Sequence, residues 1–298
     1  MRFEITHTTR YHYGSPASES FMDVRLHPPS NAAQTVLARS LLIEPACRVS
    51  GYTDYYGNAV EQFSIIHRHD ELRLTAGTTV ETHPVTTAPA ALDLTVSEAR
   101  QIYRAQQLRY FDFVHPSRGI APGRAVHRAA NRLFRPADHF GQALERALHW
   151  IHRRIAYTPG ATGIDTGVEE ILGARRGVCQ DHAHVLIAIL RSAEIPARYV
   201  CGYIETESQR KASERGERHL VGAAESHAWV EIALPNGSWH ALDPTNDIPA
   251  GERHVVVTVG RDFHDTSPTR GVFKGAQKTV LKVAVIMRRV SDGVSAHG

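Results

Sequence analysis

The hydrophobic period switches from strand-like to helical near residue 98, and the stretches that meet there call for different kinds of layer. Before it, "FEITHTTRYHY", "TVLARSLLIEP", "VEQFSIIHRH" and "ELRLTAGTTVETH" are rich in β-branched and aromatic residues. They are separated by "YGSPAS", "HPPSNAAQ" and "DYYGNA", which carry turn chemistry. Residues 1–83 are therefore expected to form an antiparallel β domain, sandwich-like. Residues 84–97, "PVTTAPAALDLTVS", are rich in Pro, Thr and Ala and read as a linker.

After the change the spacing is helical. Ala125, Val126, Ala129, Leu133 and Phe134 share one face behind Pro122, and Phe140, Leu144, Leu148, Ile151 and Ile155 recur every three or four residues. "TGVEEILG" predicts a short helix, with Thr166 and Glu169 as a capping box and Gly173 as its stop. A further helix is expected from Cys179 until Pro196, which cannot continue it. Strands are then expected in "ARYVCGYI", "SHAWVEIAL" and "SWHALDP", the last two joined by the hairpin signal "PNG". "RHVVVTVGRDFHD" and "TVLKVAVIMRRV" supply two more strands, placed as a tail of a second domain over 98–298. Strand runs followed by helices and then strands define an α+β protein. With 298 residues, 42% of them hydrophobic, the chain can bury a core in each part.

Three cysteines, Cys47, Cys179 and Cys201, are too few and too scattered for a disulfide framework, which makes a reducing cytoplasm the expected location. Cys179 has the more telling context, "RRGVCQDHAHVLIAIL". A thiolate is the nucleophilic form of cysteine, and the unpaired N–H groups and positive dipole end of a helix N-terminus stabilise it. Arg175 and Arg176 precede it, and Ala183, Leu186 and Leu190 continue its face toward the packed side. Two readings stay open on this segment: a nucleophile, or a small half-buried hydrophobe.

A nucleophilic cysteine needs a base, and the base needs a group that fixes its tautomer. His227 and Asp243 lie on the two strands of the hairpin, where parity tests them. If Pro235, Asn236 and Gly237 form a three-residue loop, Leu234 pairs with Ser238, and His227 and Asp243 share a face as diagonal neighbours, roughly 7–8 Å apart. A two-residue Asn-Gly turn would put them on opposite faces. Trp229 and Glu231 share the face of His227 and could line a cleft or simply pack. Gln180 and Tyr157 are weaker candidates to line the site or bind an oxyanion.

"RRGVCQDHAHVLIAILRSAEIPARYVCGYI", "ESHAWVEI" and "WHALDPTND" together resemble the bacterial transglutaminase-like proteins. Residues 1–83 resemble that family's N-terminal domain, and "RHVVVTVGRDFHDTSPTRGVFKG" its C-terminal stretch. The resemblance implies a papain-like core, in which a helix carrying the cysteine packs on an antiparallel sheet. It also implies Cys179 as nucleophile, His227 as base and later acid, and Asp243 as orienter. Where related sequences often have an aromatic residue, this one has His182.

The function expected is thiol chemistry on carboxamide or peptide bonds through a Cys179 thioester, with transfer to an amine or to water. The alternatives are a cysteine peptidase or amidase that only hydrolyses, and an inert peptide-binding module on the same scaffold. A protein or peptide substrate is expected, with no cofactor and no metal. On a helix His182 and His184 point about 200° apart, a poor arrangement for shared ligation beside Cys179. No nucleic-acid partner is expected: residues 117–154 hold eight arginines against two acidic residues, but Arg124, Arg128, Arg132 and Arg135 lie opposite an apolar helix face and read as a solvated surface. No membrane association is expected, since the N-terminus lacks an apolar signal-like run and no run approaches eighteen apolar residues.

Overall fold

The computed structural model describes residues 1–85, 89–205, 226–275 and 278–290. Part of the segment expected as a linker, residues 86–88, lies outside these. The first half is a sandwich of two antiparallel sheets with strand orders β15-β1-β6-β3 and β14-β2-β5-β4. Its strands are β1 (Arg2–Ala17), β2 (Glu19–Val24), β3 (Gln34–Glu44), β4 (Val49–Thr53), β5 (Ala59–Ile65) and β6 (His69–Thr82), joined by β14 (Thr269–Lys274) and β15 (Thr279–Arg289). Alternation along β6 buries Leu72, Leu74 and Ala76, which meet Phe63, Ile65, Met22 and Val24 of the facing sheet.

Two expectations change here. Residues 13–18 do not form a turn: β1 runs on to Ala17, and its register against β6 shifts between His12 and Ala17. That irregularity carries the chain from one sheet to the other, with Ala17 fully buried at the corner. Of the two tail strands placed by sequence in the second domain, "RHVVVTV" stays there, while "TVLKVAVIMRR" belongs to the sandwich, as does Thr269–Lys274, which the sequence did not mark as a strand. β14 pairs with β2 and β15 with β1, each covering an otherwise open sheet edge.

The second half is built around one helix. Helices α1 (Val96–Ala105), α2 (Phe111–Val114), α3 (Arg124–Leu133), α4 (Phe140–Arg154) and α5 (Val168–Ala174) precede α6 (Cys179–Ser192). All of Phe140, Leu144, Leu148, Ile151 and Ile155 are buried, as their spacing predicts. α6 is buried continuously from Asp181 to Arg191 and packs on a five-stranded sheet of order β12-β11-β10-β9-β13. Those strands are β9 (Ala197–Ile204), β10 (His227–Ala233), β11 (Trp239–Asp243), β12 (Ile248–Pro249) and β13 (His254–Gly260).

The capping box expected at Thr166 and Glu169 is not formed. Gly167 occupies the N-cap of α5, and Thr166 Oγ1 instead accepts the amide of Gly163 at 2.9 Å. Glu169 reaches across to α3, where its carboxylate accepts the amides of Ala125 at 3.1 Å and Val126 at 2.9 Å. A carboxylate therefore caps the positive end of a neighbouring helix rather than its own. The box that does form straddles the end of the expected linker: Thr95 Oγ1 accepts the Glu98 amide at 3.2 Å, and Glu98 accepts the Thr95 amide at 2.8 Å. α1 therefore begins at Val96, within the stretch read as linker.

The two halves meet along β13. Gln34 donates from Nε2 to Val256 O and accepts from Val256 N, both at 2.8 Å, and Asn58 does the same to Val259 at 2.8 Å. Each buried amide imitates one residue of a β-ladder on the edge strand of the second sheet. Phe3, Ile5, Val80, Val285 and Met287 pack beside them against Tyr203, Val255 and Val257.

Candidate active site

The hairpin of β10 and β11 has the three-residue loop that the parity reading requires. Val230 pairs with Leu242 and Ala233 with Trp239, the Leu234 amide donates to Ser238 O at 2.8 Å, and Gly237 takes a positive φ of 86°. His227 and Asp243 thus share a face. The His227 Nε2–H donates to Asp243 Oδ2 at 2.8 Å, which leaves Nδ1 as the nitrogen open to another partner.

Cys179 is that partner. It is the first residue of α6, half-buried, and its side chain hydrogen-bonds His227. The helix tip is fixed by Asp181, whose Oδ2 accepts the Val178 amide at 2.7 Å and the Thr162 hydroxyl at 2.5 Å. Gly177 permits this, because a Cβ there would lie 2.6 Å from Asp181 Oδ2. Three elements, a helix tip and two neighbouring strands, therefore bring Cys179, His227 and Asp243 together.

Asp243 is fully buried and holds five donors. Oδ1 accepts the amides of Thr245 at 3.0 Å and Asn246 at 3.2 Å, an Asx turn that begins after the strand. Oδ2 accepts His227 Nε2, Asn246 Nδ2 at 2.6 Å and His254 Nε2 at 3.1 Å. Burial alone would raise this carboxyl, but the hydrogen bonds from His227 and His254 hold it far below the usual carboxylate range. Burial likewise disfavours a charged His227. The hydrogen bonds to Asp243 and Cys179 and the electrostatic pull of these neighbours outweigh that and push His227 up to about 10. Burial raises the Cys47 thiol and drives Cys201 up to about 12.

The remaining candidates separate. Trp229 is fully buried, with its ring beside His227 (centroids 6.2 Å apart) and edge-on to His254 at 5.3 Å. It packs beneath the site instead of opening onto it. Gly202 on β9 makes room for the indole, since a Cβ there would lie 2.5 Å from Trp229 Cη2 and 2.1 Å from Val255 O. Glu231 turns to Arg198, whose Nε donates to it at 2.6 Å while its guanidinium stacks 4.0 Å over Trp239. Gln180 donates from Nε2 to Ile164 O at 3.2 Å, on the loop beside the helix tip. Tyr157 is 57% exposed, pairs in β7 (Ala156–Tyr157) with Gly177, and stacks on His182.

His182 and His184 serve packing. The ring nitrogens of His182 meet the carbonyls of Val178 at 2.8 Å and Ile155 at 2.9 Å. His184 Nε2 accepts the Phe263 amide at 3.2 Å, and burial lowers its pKa to about 4. Among the described residues one group, His227, Asp243 and His254, brings three ligand atoms within 4.8 Å of one another. It fits a cation poorly. The Gly251 amide donates to His254 Nδ1 at 3.2 Å, so the proton sits on Nε2 and points at the carboxylate where a metal would need a lone pair. His254 and Asn246 were not read from sequence. The Asp-Pro-Thr-Asn run after a strand carries a signal for the Asx turn, whereas nothing local marks His254.

A cysteine on a half-buried helix tip, facing a strand histidine tied to a buried aspartate, is the arrangement of papain-like α+β thiol enzymes. Comparison with known proteins agrees. The family model for the transglutaminase-like superfamily matches residues 127–244, and that for the bacterial transglutaminase-like N-terminal region matches residues 3–81. An uncharacterized protein of Mycobacterium leprae is 33% identical over 290 residues, covering 97% of this chain and 99% of that one. The protein-glutamine gamma-glutamyltransferase of Pseudomonas aeruginosa is 36% identical over 169 residues, covering 55% of this chain and 23% of that one. The crystal structure of a candidate cysteine protease from Cytophaga hutchinsonii shares the fold, with a TM-score of 0.70, 20% identity, and 98% of this chain and 92% of that one covered. The chain belongs to the bacterial transglutaminase-like family.

Proposed function

We propose that this protein is a thiol enzyme that acts on carboxamide or peptide bonds through a Cys179 thioester and passes the acyl group to an amine or to water. The observation that carries the reading is the continuous hydrogen-bonded run from Cys179 through His227 to Asp243. In this mechanism the Cys179 sulfur attacks the carbonyl carbon while His227, protonated, stands beside it. The tetrahedral oxyanion is met by the Cys179 backbone N–H, which as the first amide of α6 has no partner within the helix. Collapse breaks the C–N bond, and His227 Nδ1–H gives its proton to the departing nitrogen. The neutral imidazole then takes a proton from the incoming amine or water as it attacks the thioester, and keeps it as the C–S bond breaks and the sulfur leaves as thiolate, which restores the starting pair. Asp243 keeps the ring in the Nε2–H tautomer throughout. Similarity to a protein named as a glutamyltransferase favours glutamine carboxamides as acyl donors.

The test is mass spectrometry of the protein with a glutamine-containing peptide, with and without a primary amine. A thioester at Cys179 followed by an amide product supports transfer, and free acid alone supports hydrolysis. Cys179→Ala should abolish turnover. If that variant stays active, or iodoacetamide labels Cys47 and Cys179 at equal rates, the thiol reading fails.

A further inference from the structure

We propose that His254 is a positioning residue for this site: an imidazole locked as the Nε2–H tautomer that pins the Asp243 oxygen to which His227 donates. The inference rests on the Cys179–His227–Asp243 reading and adds a residue to it. Asp243 Oδ2 takes donors from three places, His227 on β10, Asn246 on the turn after β11, and His254 at the start of β13. Asn246 is three residues from Asp243 and moves with it. His254 is fixed independently, by the Gly251 amide at its Nδ1, by its own amide donating to Gly251 O at 2.8 Å, and by the Trp229 edge 5.3 Å away. It is also buried, so water does not compete for its N–H.

The consequence is geometric. Rotation of the Asp243 carboxylate would break the contacts to His254 and Asn246 together, so Oδ2 stays where His227 Nε2 needs it. Trp229 lies against both imidazoles, which ties the ring that donates to Asp243 to the ring that faces Cys179. The His254 ring lies tilted 6.3 Å from the His227 ring, and its hydrogen bond reaches the site through Asp243.

The test has two arms on the full chain. Nitrogen-15 histidine spectra should show His254, assigned by its loss in His254→Phe, with its proton on Nε2 and unprotonated Nδ1. A proton on Nδ1 overturns the proposal whatever the enzyme does. In the second arm, iodoacetamide alkylation of Cys179 is timed in wild type, His254→Phe and His254→Gln, with Cys47 in each as the internal control. The phenyl ring keeps the packing and removes the donor, so Cys179 alkylation should slow by about tenfold or more, the size that hydrogen-bonded supports of site residues carry elsewhere. Glutamine returns an N–H at similar reach and should restore most of the rate. His254→Phe alkylating at the wild-type rate, or His254→Gln as slow as His254→Phe, overturns the positioning role. Wild-type Cys179 alkylating no faster than Cys47 would instead sink the thiol-enzyme reading, while the tautomer arm still decides how His254 holds Asp243.

Discussion

Asp243 shows how much a single side chain can be asked to hold. Both oxygens accept hydrogen bonds, Oδ1 from two backbone amides that can only donate and Oδ2 from His227, His254 and Asn246. Asp243→Asn cannot match that pattern, because its amide nitrogen must face N–H groups at one position or the other. The variant is expected to lose turnover by roughly 10³–10⁴-fold, as an orienting carboxylate does in other triads, and to unfold at lower urea than wild type. A loss below tenfold, measured as kcat with the best peptide substrate, would demote Asp243 from orienter to structural anchor. At this scale the sequence was informative in a specific way. Cys179, His227 and Asp243 could be picked out because their chemistry needs one another and strand parity could test two of them. Trp229 and Glu231 fell on the same face by the same parity, yet parity does not say which residues of a face meet solvent. Packing decided that, through the room left at Gly202 for the indole and the pull of Arg198 on Glu231. His254 was illegible because it sits eleven residues after Asp243, and only β13 folding back beside β9 brings it to the site.

Elements were legible where one period ran unbroken. α4 and the β10–β11 hairpin follow their spacing and turn chemistry closely. α6 was legible in extent but not in setting, for it is apolar on nearly all sides and stands as the central helix of the domain. Its two ends are held by polar groups. At the N-terminal end, Gly177→Ala would drive a Cβ into Asp181 and push the helix tip away from His227. The expected result is a loss of about 1–3 kcal/mol in urea unfolding together with slower alkylation of Cys179. Unchanged alkylation in a destabilised protein would show that the tip does not depend on Asp181. At the other end the buried Arg191 donates to the carbonyls of His115, Ala197 and Arg261, all within 3.2 Å. Losing that guanidinium leaves carbonyls of three segments without donors, the kind of deletion that costs several kcal/mol. The failed capping box belongs here too. Thr166 and Glu169 have the right spacing, but a carboxylate goes to whichever helix end is nearer in space, and for Glu169 that is α3.

For the whole molecule, pH should act through histidines that the fold keeps in opposite states. Burial lowers His7 to about 4, while its ring nitrogens meet the Tyr203 hydroxyl at 2.9 Å and the Thr9 hydroxyl at 3.0 Å. Below the unfolded value near 6.5 the unfolded chain takes up a proton that folded His7 and His184 refuse. Stability is therefore lost as pH falls from about 6.5 toward 4, with a slope of up to about 1.4 kcal/mol per pH unit for each. His227 works in the other direction, and its contribution is lost as pH rises toward about 10. The urea midpoint should peak near neutrality, and His7→Gln should flatten the acid side alone. An unchanged acid slope in His7→Gln would mean that His7 takes up its proton without unfolding. Two-part architecture was legible from the change of period, but membership of the parts was not. A strand's sequence gives its pleat and faces without naming its neighbour, so the partners of β14 and β15 could not be read from theirs. Those two strands finish sheets that residues 2–82 begin. A ribosome making this protein therefore extrudes most of a sandwich, then the whole half that carries Cys179, before it can deliver β14 and β15. Until then the early sheets present bare edges to the cell.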